Sequence, residues 1–210
     1  MATYKIVQVG DPVLRRRARA VLHDELLTPS IQELIARMRD TMRDAPGVGL
    51  AAPQVGESLQ IAVIEDPPRL HAGLTPAQLA ERERAAVPFH VLVNPRLTPE
   101  GDERVHAFEG CLSFSGFMMI VPRWRSVRVE ALDERGEPFT RIASGWYARI
   151  LQHEIDHLHG VVCCDRMEPR TLTTHDNHLR HWRELSIEDV RQAIGAMPAD
   201  AVGAGDARIE

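Results

Sequence analysis

In the segment QHEIDHLHG, residues 152–160, His153 and His157 stand four positions apart and Glu154 follows the first of them. On a helix, positions i and i+4 lie one turn apart on the same face. Two imidazoles so placed can hold one metal ion, with the Glu154 carboxylate beside it and within reach of a bound water. That arrangement suits hydrolysis: a metal lowers the pKa of its water toward neutrality, and the carboxylate takes the proton. Coincidence among ten histidines is the competing reading. It would leave two unliganded imidazoles and a carboxylate on a buried helix, which is costly.

A hydrolytic metal keeps three protein ligands and one open position. Downstream, His159, Asp165 and Glu168 lack the glycine-containing spacing of the metzincins. Upstream, EGCLS, residues 109–113, sets Cys111 beside Gly110 in a tight turn next to strands, from which a thiolate can reach out. Taken alone, such a cysteine reads as readily as a small buried hydrophobe. A further segment, GVGLAA at 47–52, matches G-x-G-x-x-A, with Glu65 and Asp66 placed like a ribose-binding acid. A dinucleotide fingerprint must follow a strand and open a helix. Here an amphipathic helix precedes the glycines and Pro53 blocks a helix after them. The loop instead suits an extended substrate approaching its backbone.

The elements that must carry these residues follow from periodicity. Ile31, Leu34, Ile35, Met38 and Met42 recur at helical spacing, which predicts an amphipathic helix from about Ser30, as N-cap, to Asp44. LQIAVIED reads as a strand ending at Pro67, HAGLTPAQLAERERAA as a partly helical surface excursion, and FHVLVNPRL as a strand. IVPRWRSVRVEALDERGEP alternates apolar and charged residues up to a turn at 133–136, as antiparallel strands with one wet face do. SGWYARILQHEIDHLHG has Ser144 as an N-cap, Ile150, Leu151, Ile155 and Leu158 along an apolar side, and Gly160 at its close. The metal-type motif therefore rides on a buried helix. The expected architecture is α+β, with antiparallel strands partly wrapping that helix. Residues 1–167 are expected to form the catalytic domain. Residues 168–210 are expected to form a polar C-terminal extension with one helix near Ile187 to Met197 and a frayed end.

The chain has 210 residues, 44% of them hydrophobic, enough to bury a core within one domain. A net charge of −5, with Lys5 the only lysine, gives no basic surplus for nucleic acid. No leader pattern opens the chain and no window holds 18 uninterrupted apolar residues, so neither secretion nor a membrane is expected. Three cysteines, Cys111, Cys163 and Cys164, do not make a disulfide framework and fit a reducing compartment.

In that order and at those separations, GVGLAAPQ, EGCLS and HEIDH resemble the three signature motifs of the peptide deformylases. The likeness runs from about Ile6 to Met167 and includes GDPVLR near the start. The wording SGWYARILQHEIDHL is similar to the organelle-type branch, which also has bacterial members; with no transit peptide visible, the bacterial cytoplasm is the expected location. The resemblance implies that Cys111, His153 and His157 bind one divalent metal ion, Fe(2+) by preference, with Zn(2+), Ni(2+) or Co(2+) able to substitute. It implies Glu154 as general base and later general acid, and the Gln54 side chain with the Leu112 N–H as holders of the oxyanion. Two such donors aimed at developing charge supply several kcal/mol, about 3 kcal/mol each.

The implied reaction is removal of the formyl group from the N-terminal formyl-methionine of nascent polypeptides near the ribosome, giving formate. The peptide would pair with the 47–52 loop like an added strand, Val48, Gly49, Gly110, Trp146 and Ile150 shaping the methionine pocket. Asp156 faces away from the metal side of the helix, and Arg123 is its expected partner. The family more often has a bulky apolar pair where Cys163 and Cys164 stand, so these two read as smaller side chains in a strand. Two other readings stay open at this point: a His-Glu-x-x-His metallopeptidase with a His or Glu third ligand, and a zinc-stabilised binding module with no activity.

Overall fold

The computed structural model describes residues 3–195. The expected frayed end, ADAVGAGDARIE, lies outside them, as does Met197. A short helix α1 (His23–Leu26) leads into α2 (Pro29–Asp44), whose apolar positions are those the periodicity marks. Its N-cap is Thr28 rather than Ser30, because Pro29 already occupies the first helical turn, where its missing N–H costs nothing. Strands β1 (Gly49–Ala51), β2 (Ile61–Asp66) and β3 (Val87–Pro99) follow, interrupted by the surface helix α3 (Pro76–Glu81). Then come β4 (Arg104–Cys111), β5 (Phe114–Trp124), β6 (Ser126–Leu132) and β7 (Pro138–Ser144), and the helix α4 (Gly145–Leu158).

Five antiparallel strands pair in the order β1-β2-β3-β6-β7. The run IAVI in β2 is buried on both faces, which explains why it reads as continuously apolar. Ile61 and Val63 face α2 through Ile31, Leu34, Ile35 and Met38, while Ala62 and Ile64 face α4 through Ile150, Leu151, Ile155 and Leu158. The helix α4 touches β1, β2, β3, β5, β6 and β7, so the strands do wrap it. Ser144 sits at its N-cap position without a side-chain bond. Gly160 follows the C-cap at φ +77, and a Cβ there would lie 2.7 Å from the Arg15 carbonyl oxygen, so the chain can turn away only with glycine at this point.

A second sheet has the order β4-β5-β8, with β8 (Thr173–Thr174) pairing antiparallel to Phe117 and Met118. Alternation along β4 puts Glu109 and Cys111 on one face and Phe108 on the other. Two expectations change here. Cys163 and Cys164 lie in a 3-10 turn (Cys163–Asp165), not in a strand. The Asp165 carboxylate accepts from the Val162 N–H and pairs with Arg15, which closes the turn. The segment 47–52 is not wholly loop: β1 pairs with β2, and Ala52–Val55 is a 3-10 turn. Beyond Met167 the chain holds β8, the short α5 (His175–Asn177) and α6 (Ile187–Ala193), and Val190 packs with Phe108 and Ile120.

Candidate metal centre and active site

The face of α4 that looks toward β4 carries His153 and His157, their ring centroids 5.0 Å apart. Cys111, the last residue of β4, comes up to them with Sγ 3.3 Å from His157 Nε2. One ligand atom from each of the three lies within 4.8 Å of the others, and the group can hold one metal ion. The third donor that sequence left open between a ligand and a buried hydrophobe is therefore beside the histidine pair. None of His159, Asp165 and Glu168 joins this group.

Glu154 lies alongside. It is buried, its Oε2 has no hydrogen-bond partner, and burial pushes its pKa up to about 7. A carboxyl poised near neutrality can both take and return a proton. Its other oxygen rests on β1: a Cβ built on Gly49 would stand 2.2 Å from Glu154 Oε1. The glycine in GVGLAA is thus needed for close approach to the carboxyl of HEIDH.

Behind the histidines stands Glu109, which sequence reasoning did not single out. It accepts from Arg123 Nε and Nη2 at 2.9 and 3.0 Å, from Arg149 Nη1 at 2.7 Å, and shares a 3.0 Å hydrogen bond with His153 Nδ1. Burial alone would raise its pKa; Arg123, the His153 bond and Arg149 outweigh it and hold the carboxyl well below its ordinary value. In turn burial disfavours charge on His153, but the bond and charge of Glu109 win and raise it to about 9. Occupying Nδ1 leaves Nε2 as the free ligand atom, the arrangement that orients metal-bound imidazoles. Burial drives the His157 pKa far down, which keeps that ring neutral and able to ligate. The signal for Glu109 was present: two residues before Cys111 on a strand is the same face. Arg149, four residues before His153, could have been found by helical spacing.

Asp156, as expected, meets Arg123 through a short Nη1 bond, and Arg166 adds a bidentate pair at 2.7 and 2.8 Å that was not foreseen. Arg123 therefore links Glu109 on β4 to Asp156 on α4. The neighbouring Cys163 sulfur and then burial push the Cys111 thiol well above its ordinary pKa, while the same pairing draws Cys163 down to about 7. A cation at the centre would favour the Cys111 thiolate. Soft thiolate, two imidazoles and an unpartnered carboxyl oxygen beside them together fit a divalent transition metal.

Gln54 is buried with Oε1 fixed by the Ala51 N–H at 2.8 Å, which turns its amide nitrogen toward Cys111 Sγ at 3.7 Å and Ser113 Oγ at 3.2 Å. Leu112 stands at the turn between β4 and β5, its carbonyl accepting from Gln8 Nε2. A cleft of about 900 Å³ is lined by Val48, Gly49, Gln54, Gly110, Cys111, Leu112, Trp146, Ile150, His153 and Glu154. Of the metal, proton-transfer, oxyanion and methionine-pocket residues expected from sequence, His157 alone is missing from that lining, and it sits behind the wall. Thr174 at the end of β8, with His175 and Asp176 of α5, adds to the lining, a contribution no local pattern announces.

The model of the polypeptide deformylase family matches residues 3–172. "Peptide deformylase 3" of Streptomyces avermitilis is 45% identical over 195 residues, 92% of this chain and 84% of the relative. The human "Peptide deformylase, mitochondrial" is 43% identical over 80% of this chain and 69% of its own length. Among solved structures, a Met-Ala-Ser-bound class I type b peptide deformylase from Acinetobacter baumannii superposes with a TM-score of 0.70 at 30% identity, covering 79% of this chain and 99% of that one. The actinonin complex of a Synechococcus elongatus peptide deformylase gives 0.64 at 32% identity over 92% of this chain and 87% of that one. Carried by a family match across most of its length and by relatives of this closeness, the chain belongs to the polypeptide deformylase family.

Proposed function

We propose that Cys111, His153 and His157 hold one divalent metal ion and that Glu154 is the proton carrier of the reaction. The family activity is metal-dependent removal of the N-formyl group from nascent polypeptides, with release of formate. When bound, the ion activates a water and polarises the formyl oxygen. Glu154, unpartnered at Oε2 and buried, takes the water proton and returns it to the departing amine nitrogen. Gln54 Nε2 and the Leu112 N–H hold the developing oxyanion; the Ala51 bond to Oε1 keeps the amide facing that way. The single observation that supports this reading most is the convergence of three ligand atoms within 4.8 Å beside a buried carboxyl whose pKa stands near 7.

The formylmethionyl peptide enters along β1, which is an edge of its sheet and offers backbone groups to an added strand. Val48, Gly49, Gly110, Trp146 and Ile150 receive the methionine side chain. The Met-Ala-Ser-bound relative is consistent with a peptide lying in such a cleft. We assign the chemistry to residues 1–167 and read 168–210 as an extension that borders the cleft. The Cys-His-His donor set suits several divalent ions; likeness to the family favours Fe(2+), with Zn(2+), Ni(2+) or Co(2+) as substitutes. The bacterial origin of the relatives favours a bacterial cytoplasm, where chains emerging from the ribosome would be the substrate. Among the described residues no helix is long and apolar enough to cross a membrane.

The test is formate release from a formyl-Met tripeptide by anaerobically metallated protein, with Glu154→Gln beside it. The variant should bind metal normally and lose about 10²- to 10⁴-fold in turnover. A Glu154→Gln protein with wild-type turnover would remove Glu154 from the chemistry. Cleavage of internal peptide bonds would restore the metallopeptidase reading.

A further inference from the structure

Cys111 is not the only sulfur at the centre. On its inner side it packs against Cys163, which is 1% exposed, in a buried cluster with Leu14, Met119 and Val121. Each sulfur is the largest single influence on the other's ionisation, as befits neighbours in that cluster. The outer side of Cys111 lines the cleft, where a small solute can reach it. The chemistry assigned above uses Cys111 and leaves Cys163 without a task. A buried cysteine commonly serves as a small hydrophobe, but one beside a second sulfur that a solute can reach has a chemical partner as well.

We propose that Cys163 is a resolving cysteine for Cys111. Hydrogen peroxide entering the cleft oxidises the Cys111 thiol to the sulfenic acid: the sulfur takes one oxygen as the O–O bond breaks, and the thiol proton goes to the departing oxygen, which leaves as water. The Cys163 sulfur then attacks the Cys111 sulfur. The S–O bond breaks, the departing oxygen takes the Cys163 proton and leaves as a second water, and a Cys111–Cys163 disulfide forms. Two thiols are oxidised by two electrons in all and one peroxide is reduced to two waters. The bridge removes a metal ligand but halts Cys111 short of the sulfinic acid, a state thiols do not reverse.

The position of Cys163 favours this outcome. It lies in the three-residue turn Cys163–Asp165 just after α4, so forming an S–S bond of about 2.05 Å asks a short turn to adjust, not a strand or helix. Cys164, next in the chain and partly exposed, has Asp165 and Arg15 as its polar neighbours rather than Cys111. The functional consequence rests on Cys111 holding the metal; the bond itself does not.

The experiment treats the full chain, with and without bound metal, with stoichiometric hydrogen peroxide, then alkylates free thiols under denaturing conditions and maps the peptides by mass spectrometry. The wild type should lose two hydrogens, show a linked Cys111–Cys163 peptide pair, and recover both thiols and metal binding on treatment with dithiothreitol. Cys163→Ala should form no bridge and carry Cys111 on to the sulfinic acid, whereas Cys164→Ala should bridge as the wild type does. A Cys163–Cys164 bridge, an unreacted Cys111, or sulfinic acid accumulating equally in wild type and Cys163→Ala overturns the proposal. The mass readout needs no turnover, so a bridge in a protein that releases no formate would fault the functional reading alone.

Discussion

Glu154 depends on a neighbour with no side chain. Its Oε1 occupies the place where a Cβ of residue 49 would be, so Gly49→Ala cannot be accommodated without moving either β1 or the carboxyl. Residue 49 pairs with Ile64 in the sheet, which resists the first of these. The expected result is a protein that folds and binds metal but whose kcat falls by at least about tenfold, a misplacement of the base being costly in rate. Metal content and formate release measured side by side check this, and unchanged kcat would mean that Glu154 has room the packing denies. The same residue shows what sequence can and cannot convey. HEIDH announces the two imidazoles and the carboxyl through spacing alone, because i and i+4 are neighbours on any helix. That GVGLAA serves the same carboxyl is invisible locally, since the contact joins residues more than a hundred positions apart. Glu109 escaped for a related reason: strand alternation places it on the Cys111 face, but nothing local announces that Arg123, Arg149 and His153 surround it there.

At the scale of elements, β4 and α4 are tied by charge as well as by packing. Arg123 on β5 donates to Glu109 on β4 and to Asp156 on α4, and all three side chains are buried. Removing one member leaves uncompensated charge, so Arg123→Leu should cost on the order of 3–5 kcal/mol, read as a lowered denaturant midpoint. Equal stability would sink the view that the network braces the helix. Its acid response follows from sign. Glu109 ionises more readily folded than unfolded, so its contribution is complete above the ordinary value of 4.5 and is lost as pH falls toward the depressed folded value. Glu109→Gln should therefore show a flatter loss of stability below pH 4.5 than the wild type, measured by thermal unfolding across that range. Elements with strong periodicity, α2 and α4, and the doubly buried run of β2 were legible in advance. Three-residue β1 and the turn at Cys163 were not, because pairing with β2 and the Asp165 carboxylate decide them.

At the scale of the whole molecule, the segment after Met167 reads as polar yet contributes apolar burial. Val190 is 1% exposed against Phe108 and Ile120, with Trp182, Ile187 and Ile194 packed around them. Thr171 Oγ1 accepts from the Ile120 N–H, and β8 extends the second sheet beside Phe117 and Met118. Ending the chain after Met167 would bare this face of β4 and β5 while leaving Cys111, His153, His157 and Glu154 in place. Fully burying one aliphatic side chain is worth about 1.5–3 kcal/mol, and each kcal/mol moves the melting point of a chain this size by about 2–4 °C. The shortened protein should therefore melt on the order of 10 °C lower by calorimetry. It should retain formate release below that temperature, because the reacting groups all precede the cut. It also loses Thr174, His175 and Asp176 from the cleft, so its KM should rise for a formyl tripeptide more than for formyl-methionyl dipeptides. A shortened chain that melts with the full one would make residues after 167 an appendage in energy as well as in sequence. A chain with full stability loss and unchanged KM would confine the segment to support of the second sheet.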